Sequence, residues 1–195
     1  LTVANSYEND WFAGTLTLEN AHAPELLPWG GAHLRVLGEN TVDGTIGGTG
    51  LLFTGGGSLA AGELNVWAWG SVRAPLLAVR DGANVRCGAL HMGSNAEEKG
   101  TLLVESGGLA VDGEFWLQNA ALEVTGGELT LAGDASIDRG EVHISGGTVS
   151  FEHGLWLGEG DIVITGGTVI VPGGEAGLTA ENGKVTIFGG TVREL

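Results

Sequence analysis

Basic residues are scarce in this chain. Eight Lys and Arg stand against 24 Asp and Glu, which gives a net charge of −16 over 195 residues. A field of this sign repels phosphate backbones, so a nucleic-acid partner is not expected. It also disfavours anionic membranes and, less decisively, acidic polysaccharides, while neutral glycans, cations and cationic surfaces stay open as ligands. The same charge would also keep a β-rich surface soluble without any ligand.

Cysteine, proline and long apolar runs are equally scarce. Cys87 is the only cysteine, so no disulfide can form within the chain, and its alternating neighbours predict that it points inward as a small apolar residue. Four prolines without a G-X-Y period exclude collagen. The longest apolar runs are far below the roughly 18 residues of a transmembrane helix, so membrane insertion is not expected. No signal peptide is recognised, and a chain that begins and ends within its pattern is interpreted as a fragment of a longer protein.

Glycine is what the chain has in excess. It accounts for 37 of 195 residues, about 19% against about 7% in average proteins. A hydrophobic content of 43% is too high for a disordered low-complexity chain, so a folded core must bury it. No linker divides the sequence, and residues 1–195 are predicted to form a single domain.

A glycine pair recurs at a nearly fixed interval, and its second member advances by 20, 20 and 23 residues. On both sides of each pair, apolar and polar residues alternate, which is the period of a half-buried strand. The glycines mark tight corners that need positive φ or close backbone approach. The regular pairs are Gly126–Gly127, Gly146–Gly147, Gly166–Gly167 and Gly189–Gly190, with looser units at residues 55–57, 81–82 and 107–108.

Such a repeat predicts parallel stacking, because each strand returns to the same phase and can lie on its own copy in the next coil. Hairpins are the alternative, but they would need equal numbers of up and down strands. We therefore predict an all-β fold, a right-handed single-stranded parallel β-helix (β-solenoid) of about eight coils of roughly 20–26 residues. The expected inward columns are Leu122/Val142/Ile162/Val185, Val124/Ile144/Ile164/Ile187 and Leu129/Val149/Val169/Val192.

Two segments interrupt the regular pattern. Residues 1–50 are expected to form irregular coils, with an inserted loop or short helical turn at 21–30, where Pro24 and Pro28 occur. Regular coils are expected over 51–195, with a second protruding loop at 93–100.

The repeat resembles a known type of protein. Gly-Gly-Thr-Val after an alternating strand, at 146–149, 166–169 and 189–192, resembles bacterial surface parallel β-helix proteins. Gly-Glu-Asn-Thr-Val at 38–42 is similar to the opening of carbohydrate-binding-domain-containing β-helix proteins, and residues 89–108 are similar to autotransporter-passenger repeats. The resemblance implies a secreted or cell-surface protein with a non-catalytic role in glycan binding or adhesion, sometimes with calcium.

Tryptophans are the strongest candidates for a binding site. Trp116 and Trp156 each lie 11 residues before the second glycine of their unit, and Ser136 occupies the equivalent position between them. With their apolar neighbours inward, both indoles face outward, roughly 10 Å apart because strands stack about 4.8 Å apart. That spacing suits a sugar chain lying across two aromatic platforms. Trp67 and Trp69 are predicted to share one outward face as further ligand-binding residues.

Two alternatives to this binding site stay open. The tryptophans could pack beneath the loop at 93–100 or against a neighbouring domain, since soluble monomers rarely expose four of them. A one-residue slip in register would also turn Trp116 and Trp156 inward.

A second column contains Glu141, Asp161 and Lys184, each six residues before the second corner glycine. Stacked carboxylates repel each other unless a cation intervenes. The cation could be calcium, with Glu141 and Asp161 as ligands. The alternative is an ordinary charged surface in which Lys184 bridges to Asp161.

Polysaccharide-cleaving enzymes also use this fold, but their motifs are missing here. Hydrolases of the polygalacturonase type resemble one another in an Asn-Thr-Asp, an Asp-Asp pair and a Gly-His-Gly, and only His153 in Glu-His-Gly approaches these. We therefore expect no catalysis, and polysaccharide binding or adhesion is the first hypothesis. The alternative is a structural stalk or filament segment with end-to-end contacts, because residues 185–195 show no polar cap. A lyase or hydrolase is the least expected.

Overall fold

A computed structural model describes residues 15–28, 30–68, 74–95, 98–172 and 177–194. The described residues form 21 β-strands and contain no helix long and apolar enough to cross a membrane. In chain order the strands are Thr15–Glu19 (β1), His22–Ala23 (β2), Gly31–Leu37 (β3), Glu39–Gly48 (β4), Gly50–Thr54 (β5), Ser58–Ala68 (β6), Leu76–Val79 (β7), Ala83–Ser94 (β8), Gly100–Val104 (β9), Gly107–Val111 (β10), Phe115–Gln118 (β11), Ala120–Val124 (β12), Glu128–Leu131 (β13), Ala135–Ile144 (β14), Thr148–Phe151 (β15), Leu155–Glu159 (β16), Ile162–Ile164 (β17), Thr168–Val171 (β18), Leu178–Asn182 (β19), Val185–Ile187 (β20) and Thr191–Glu194 (β21).

Each coil contributes to three ladders of parallel strands. The first ladder contains β1, β3, β5, β7, β9, β12, the second half of β14, β17 and β20. The second contains β2, the first parts of β4, β6 and β8, then β10, β13, β15, β18 and β21. The third contains the second parts of β4, β6 and β8, then β11, the first half of β14, β16 and β19. The predicted parallel β-solenoid of about eight turns is therefore confirmed, and the hairpin alternative is wrong.

The core is a set of apolar columns that run along the stack. Leu122 pairs with Val142, which pairs with Ile162, and all three are at most 1% exposed. The three inward columns predicted from the repeat are all confirmed by the strand register. One coil cannot bury these side chains alone, so the neighbouring coils close the core.

The corners require glycine for two separate reasons. A Cβ placed on Gly146 would lie 2.3 Å from the carbonyl oxygen of Thr125 in the preceding coil, which leaves no room for a side chain. Gly147 has a φ of 71°, a left-handed conformation that L-residues adopt at a cost. The recurring glycine pair thus follows from close stacking of corners as well as from the turn itself.

The two expected loops differ from each other in outcome. Within 21–30, Ala23 pairs with Val42 and Leu26 forms a bridge to Ile46, so short parallel pairings replace the expected inserted loop or helical turn. The prolines shorten these pairings and conceal the strand alternation in the sequence. The segment at 93–100 connects β8 to β9, and its residues 96–97 lie outside the described residues.

The last described coil leaves apolar side chains in solvent. Val185 is 40% exposed, Ile187 53% and Phe188 78%, whereas their counterparts in earlier coils of the first ladder are buried. These positions belong to the inward columns and the corner that a further layer would cover.

Candidate functional site

The outward side of the third ladder carries the tryptophans, and we call it the tryptophan face. Along one column of this face, the strand register places Trp116 beside Ser136 and Ser136 beside Trp156. The residues flanking the indoles within their strands, Phe115, Leu117, Leu155 and Leu157, are buried. Period-two alternation therefore directs Trp116 and Trp156 outward, and the predicted column is confirmed. Trp69 lies outside the described residues.

Trp116 does not stand alone on this face. The rings of Trp67 and Trp116 stack with centroids 5.8 Å apart and planes at 21°. Trp67 comes from the adjacent column, and its ring lies over Gly93, where a Cβ would come within 2.2 Å of it. The missing side chain at Gly93 thus lets Trp67 reach Trp116, and the contact leaves both rings half-buried.

A polar network supports this aromatic pair. The Nδ1 of His91 lies 3.0 Å from Oε1 of Glu63, and its Nε2 lies 3.3 Å from Oε2 of Glu114. The Nδ2 of Asn65 donates to the same Glu63 oxygen over 3.1 Å. The imidazole of His91 also meets the ring of Trp116 edge to face, with centroids 6.3 Å apart.

Sequence reasoning missed this network and assigned His91 no role. The strand register pairs His91 with Trp116, 25 residues later, whereas Trp116 and Ser136 are 20 residues apart. The extra residues enter at the connection between β8 and β9, so the interval of the repeat does not align His91 with Trp116. The alternation of Ala-Leu-His-Met at 89–92, with Leu90 and Met92 buried, is the signal that could have placed His91 outward.

Two open grooves lie on the tryptophan face. The first, about 680 Å³, is lined by Asn65, Trp67, His91, Glu114 and Trp116. The second, about 380 Å³, is lined by Gln118, Asp138, Arg139, Trp156, Gly158, Glu159, Glu181 and Asn182. The first groove presents an aromatic pair with its polar groups already bonded to each other, and the second presents a single indole among charged and amide side chains.

Trp156 is the most exposed described tryptophan, at 41%. Its ring lies toward Gly158 in the same strand, where a Cβ would come within 2.8 Å of the ring atom Cη2. The register pairs Leu157 with Ile137 on one side and with Ala180 on the other, so the residues beside Gly158 are Asp138 and Glu181. Two carboxylates therefore flank the strand position that the Trp156 ring covers.

The predicted metal column has other partners for its acids. Oε1 of Glu141 lies 2.5 Å from Nζ of Lys99. Oδ1 of Asp161 accepts a hydrogen bond of 3.1 Å from the backbone N–H of Lys184, in place of the expected side-chain bridge. Among the described residues, no group of three or more His, Cys, Asp or Glu side chains is placed to hold a metal ion. Calcium at Glu141 and Asp161 stays a prediction.

Cys87 is buried, as its alternating neighbours predicted. Burial raises the pKa of its thiol to about 12, and the nearby charge of Asp112 raises it further. The thiolate is the nucleophilic form, so a thiol of this kind is inert at neutral pH.

Comparisons with known proteins supply no family for the chain. No family model matches it, and neither a curated protein nor a solved structure matches it. The function is therefore inferred from the geometry of the tryptophan face.

Proposed function

We propose that this chain is a non-catalytic domain that binds polysaccharide, or mediates adhesion to it, through the tryptophan face. The observation that carries the proposal is the exposed ring of Trp156, which shares a column with Trp116 two coils away. A large exposed aromatic surface is costly unless a partner covers it. An indole offers a flat apolar face for a sugar ring together with an N–H that can bond a hydroxyl.

The small residue between the two tryptophans supports this use. Ser136 occupies the coil between Trp116 and Trp156, so the two indoles are separated by two strand spacings, roughly 10 Å. A glycan lying along the stack would cross Ser136 without obstruction and contact both rings. The polar groups of the grooves, such as Gln118 and Asn182, can then bond its hydroxyls.

The setting that we propose is the outside of a bacterial cell, either secreted or attached to the surface. Its support is the glycine-paired repeat, which resembles that of bacterial surface β-helix proteins, and the strongly acidic composition, which suits an exposed soluble domain. A glycan or another surface ligand would be the partner, and calcium would be an accessory ion if Glu141 and Asp161 hold one.

A glycan array probed with the full chain, once with calcium and once with chelator, tests the proposal. Binding should be lost in the Trp116→Ala/Trp156→Ala variant and retained in Phe188→Ala, which removes an equally exposed aromatic from the last coil. Unchanged binding in the double variant, or binding to no glycan in either condition, would refute the proposal. Release of reducing sugar or of an unsaturated product would instead indicate a hydrolase or lyase.

One observation favours a second function, that of a structural stalk or filament segment. The last described coil exposes Val185, Ile187 and Phe188 at positions that earlier coils bury. An open parallel edge with apolar columns can stack on a further layer supplied by another domain or chain. Concentration-dependent assembly in sedimentation, abolished by Phe188→Asp, would support this function, and a monomer at all concentrations would oppose it.

A further inference from the structure

The groove at Trp156 has an unbalanced charge. Asp138, Glu159 and Glu181 line it together with one cation, Arg139, which pairs in register with Glu159. Among the described residues, no ion pair or side-chain hydrogen bond engages Asp138 or Glu181. These two carboxylates are the ones that flank Gly158, over which the Trp156 ring lies.

The groove at Trp116 differs in this respect. Its carboxylate Glu114 and the neighbouring Glu63 both contact His91, so their hydrogen-bonding capacity is partly used within the protein. The two grooves therefore offer different chemistry to one ligand: a neutral aromatic surface at Trp116, and an aromatic surface with two free carboxylates at Trp156.

From this asymmetry we infer that the glycan bound on the tryptophan face carries amino groups, and that Trp156 with Asp138 and Glu181 is the subsite for a protonated amine. An ammonium over an indole face is attracted by the ring quadrupole. Carboxylates on both sides add charge-assisted hydrogen bonds. The net charge of −16 attracts such a cationic polymer and repels uronates and sulfated glycans. The inference rests on the proposed glycan-binding function.

Calorimetry with two β-linked hexamers, one of glucosamine and one of N-acetylglucosamine, tests the inference. At about pH 5.5 both the amines and the carboxylates are charged. The glucosamine hexamer should bind about tenfold more tightly or better, because the acetylated hexamer loses the ammonium contacts. In Asp138→Asn/Glu181→Gln the glucosamine affinity should fall to that of the acetylated hexamer, whose own affinity should not change.

The matched control is Glu19→Gln/Glu128→Gln, which removes the same charge from exposed positions on the first and second ladders. It should retain most of the preference for glucosamine. Equal affinity of the native chain for both hexamers, or an equal loss in the control and the site variants, would overturn the inference. If both hexamers bind equally and Trp156→Ala abolishes both, glycan binding itself stands. If neither hexamer binds and no neutral glycan binds, the proposed function fails as well.

Discussion

Gly93 lies directly beneath the indole of Trp67, on the neighbouring strand of the third ladder. A Cβ built on Gly93 would come within 2.2 Å of the ring atom Cζ3 and 2.6 Å of Cη2. The ring thereby occupies the space of a missing side chain, and from there it stacks on Trp116. A glycine within a strand weakens that strand, so its presence here has a packing reason.

Replacing Gly93 with alanine should displace the Trp67 ring and break its stack with Trp116. We expect a loss of about 1–3 kcal/mol in the free energy of unfolding, which is typical of overpacking, and a weaker near-ultraviolet circular dichroism signal. Chemical denaturation and near-ultraviolet spectra measure these two changes.

A double-mutant cycle with Trp67→Ala supplies the control for this prediction. Once the ring is gone, the added methyl group meets no indole, so Gly93→Ala should then cost little. The coupling between the two sites should exceed about 0.5 kcal/mol. Additive losses would mean that Gly93 is needed for another reason.

His91 holds the base of the Trp116 groove in place through its two carboxylate contacts. His91→Ala should cost about 1–2 kcal/mol, because it removes two polar contacts of a half-buried group and the edge contact with Trp116. The fluorescence of Trp116 should change with it. His143→Ala, at an exposed position of the first ladder, is the matched control and should leave both quantities unchanged.

The ladders could be predicted from the sequence because they depend on two local signals. Alternation gives the facing of each residue, and the glycine pair gives the phase of each coil, so Trp116, Ser136 and Trp156 fall into one column without any structure. Both signals are repeated in every regular coil, which makes a slip of one residue detectable.

The remaining parts of the site depend on intervals that the repeat does not fix. His91 and Trp116 are neighbours across a connection of different length, and Trp67 meets Trp116 only because its ring leans over Gly93. The charge partners also follow side-chain reach rather than phase, as with Lys99, which pairs with Glu141 from 42 residues away. None of these relationships has a periodic signature.

The corner glycines are predicted to be essential at their stacked positions. In Gly147→Ala, the new Cβ would lie 2.6 Å from the carbonyl oxygen of Gly127, and the φ of 71° would be strained for alanine. We expect a loss of at least about 1–2 kcal/mol in the free energy of unfolding, measured by denaturant titration. Gly56→Ala is the control, because its Cβ would meet nothing within 4 Å. An equal loss in both variants would contradict this account of the corners.

The buried thiol of Cys87 should make stability depend on pH in the alkaline range. Its pKa is raised from 9.0 to about 12 in the folded chain, chiefly by burial. Above about pH 9 the unfolded chain releases this proton and the folded chain keeps it, so the unfolded state binds fewer protons and stability falls as pH rises toward 12. The slope from this group is at most about 1.4 kcal/mol per pH unit.

Denaturant titrations of the native chain and of Cys87→Ala between about pH 8 and 11 measure this contribution, since every other titrating group is common to both. The native chain should lose stability more steeply with pH than the variant, although the variant starts lower because a buried sulfur has been removed. Alkylation gives a second readout: Cys87 should react with iodoacetamide only after unfolding. Parallel pH profiles together with rapid alkylation of the folded chain would show that the thiol is accessible and that its pKa is not raised.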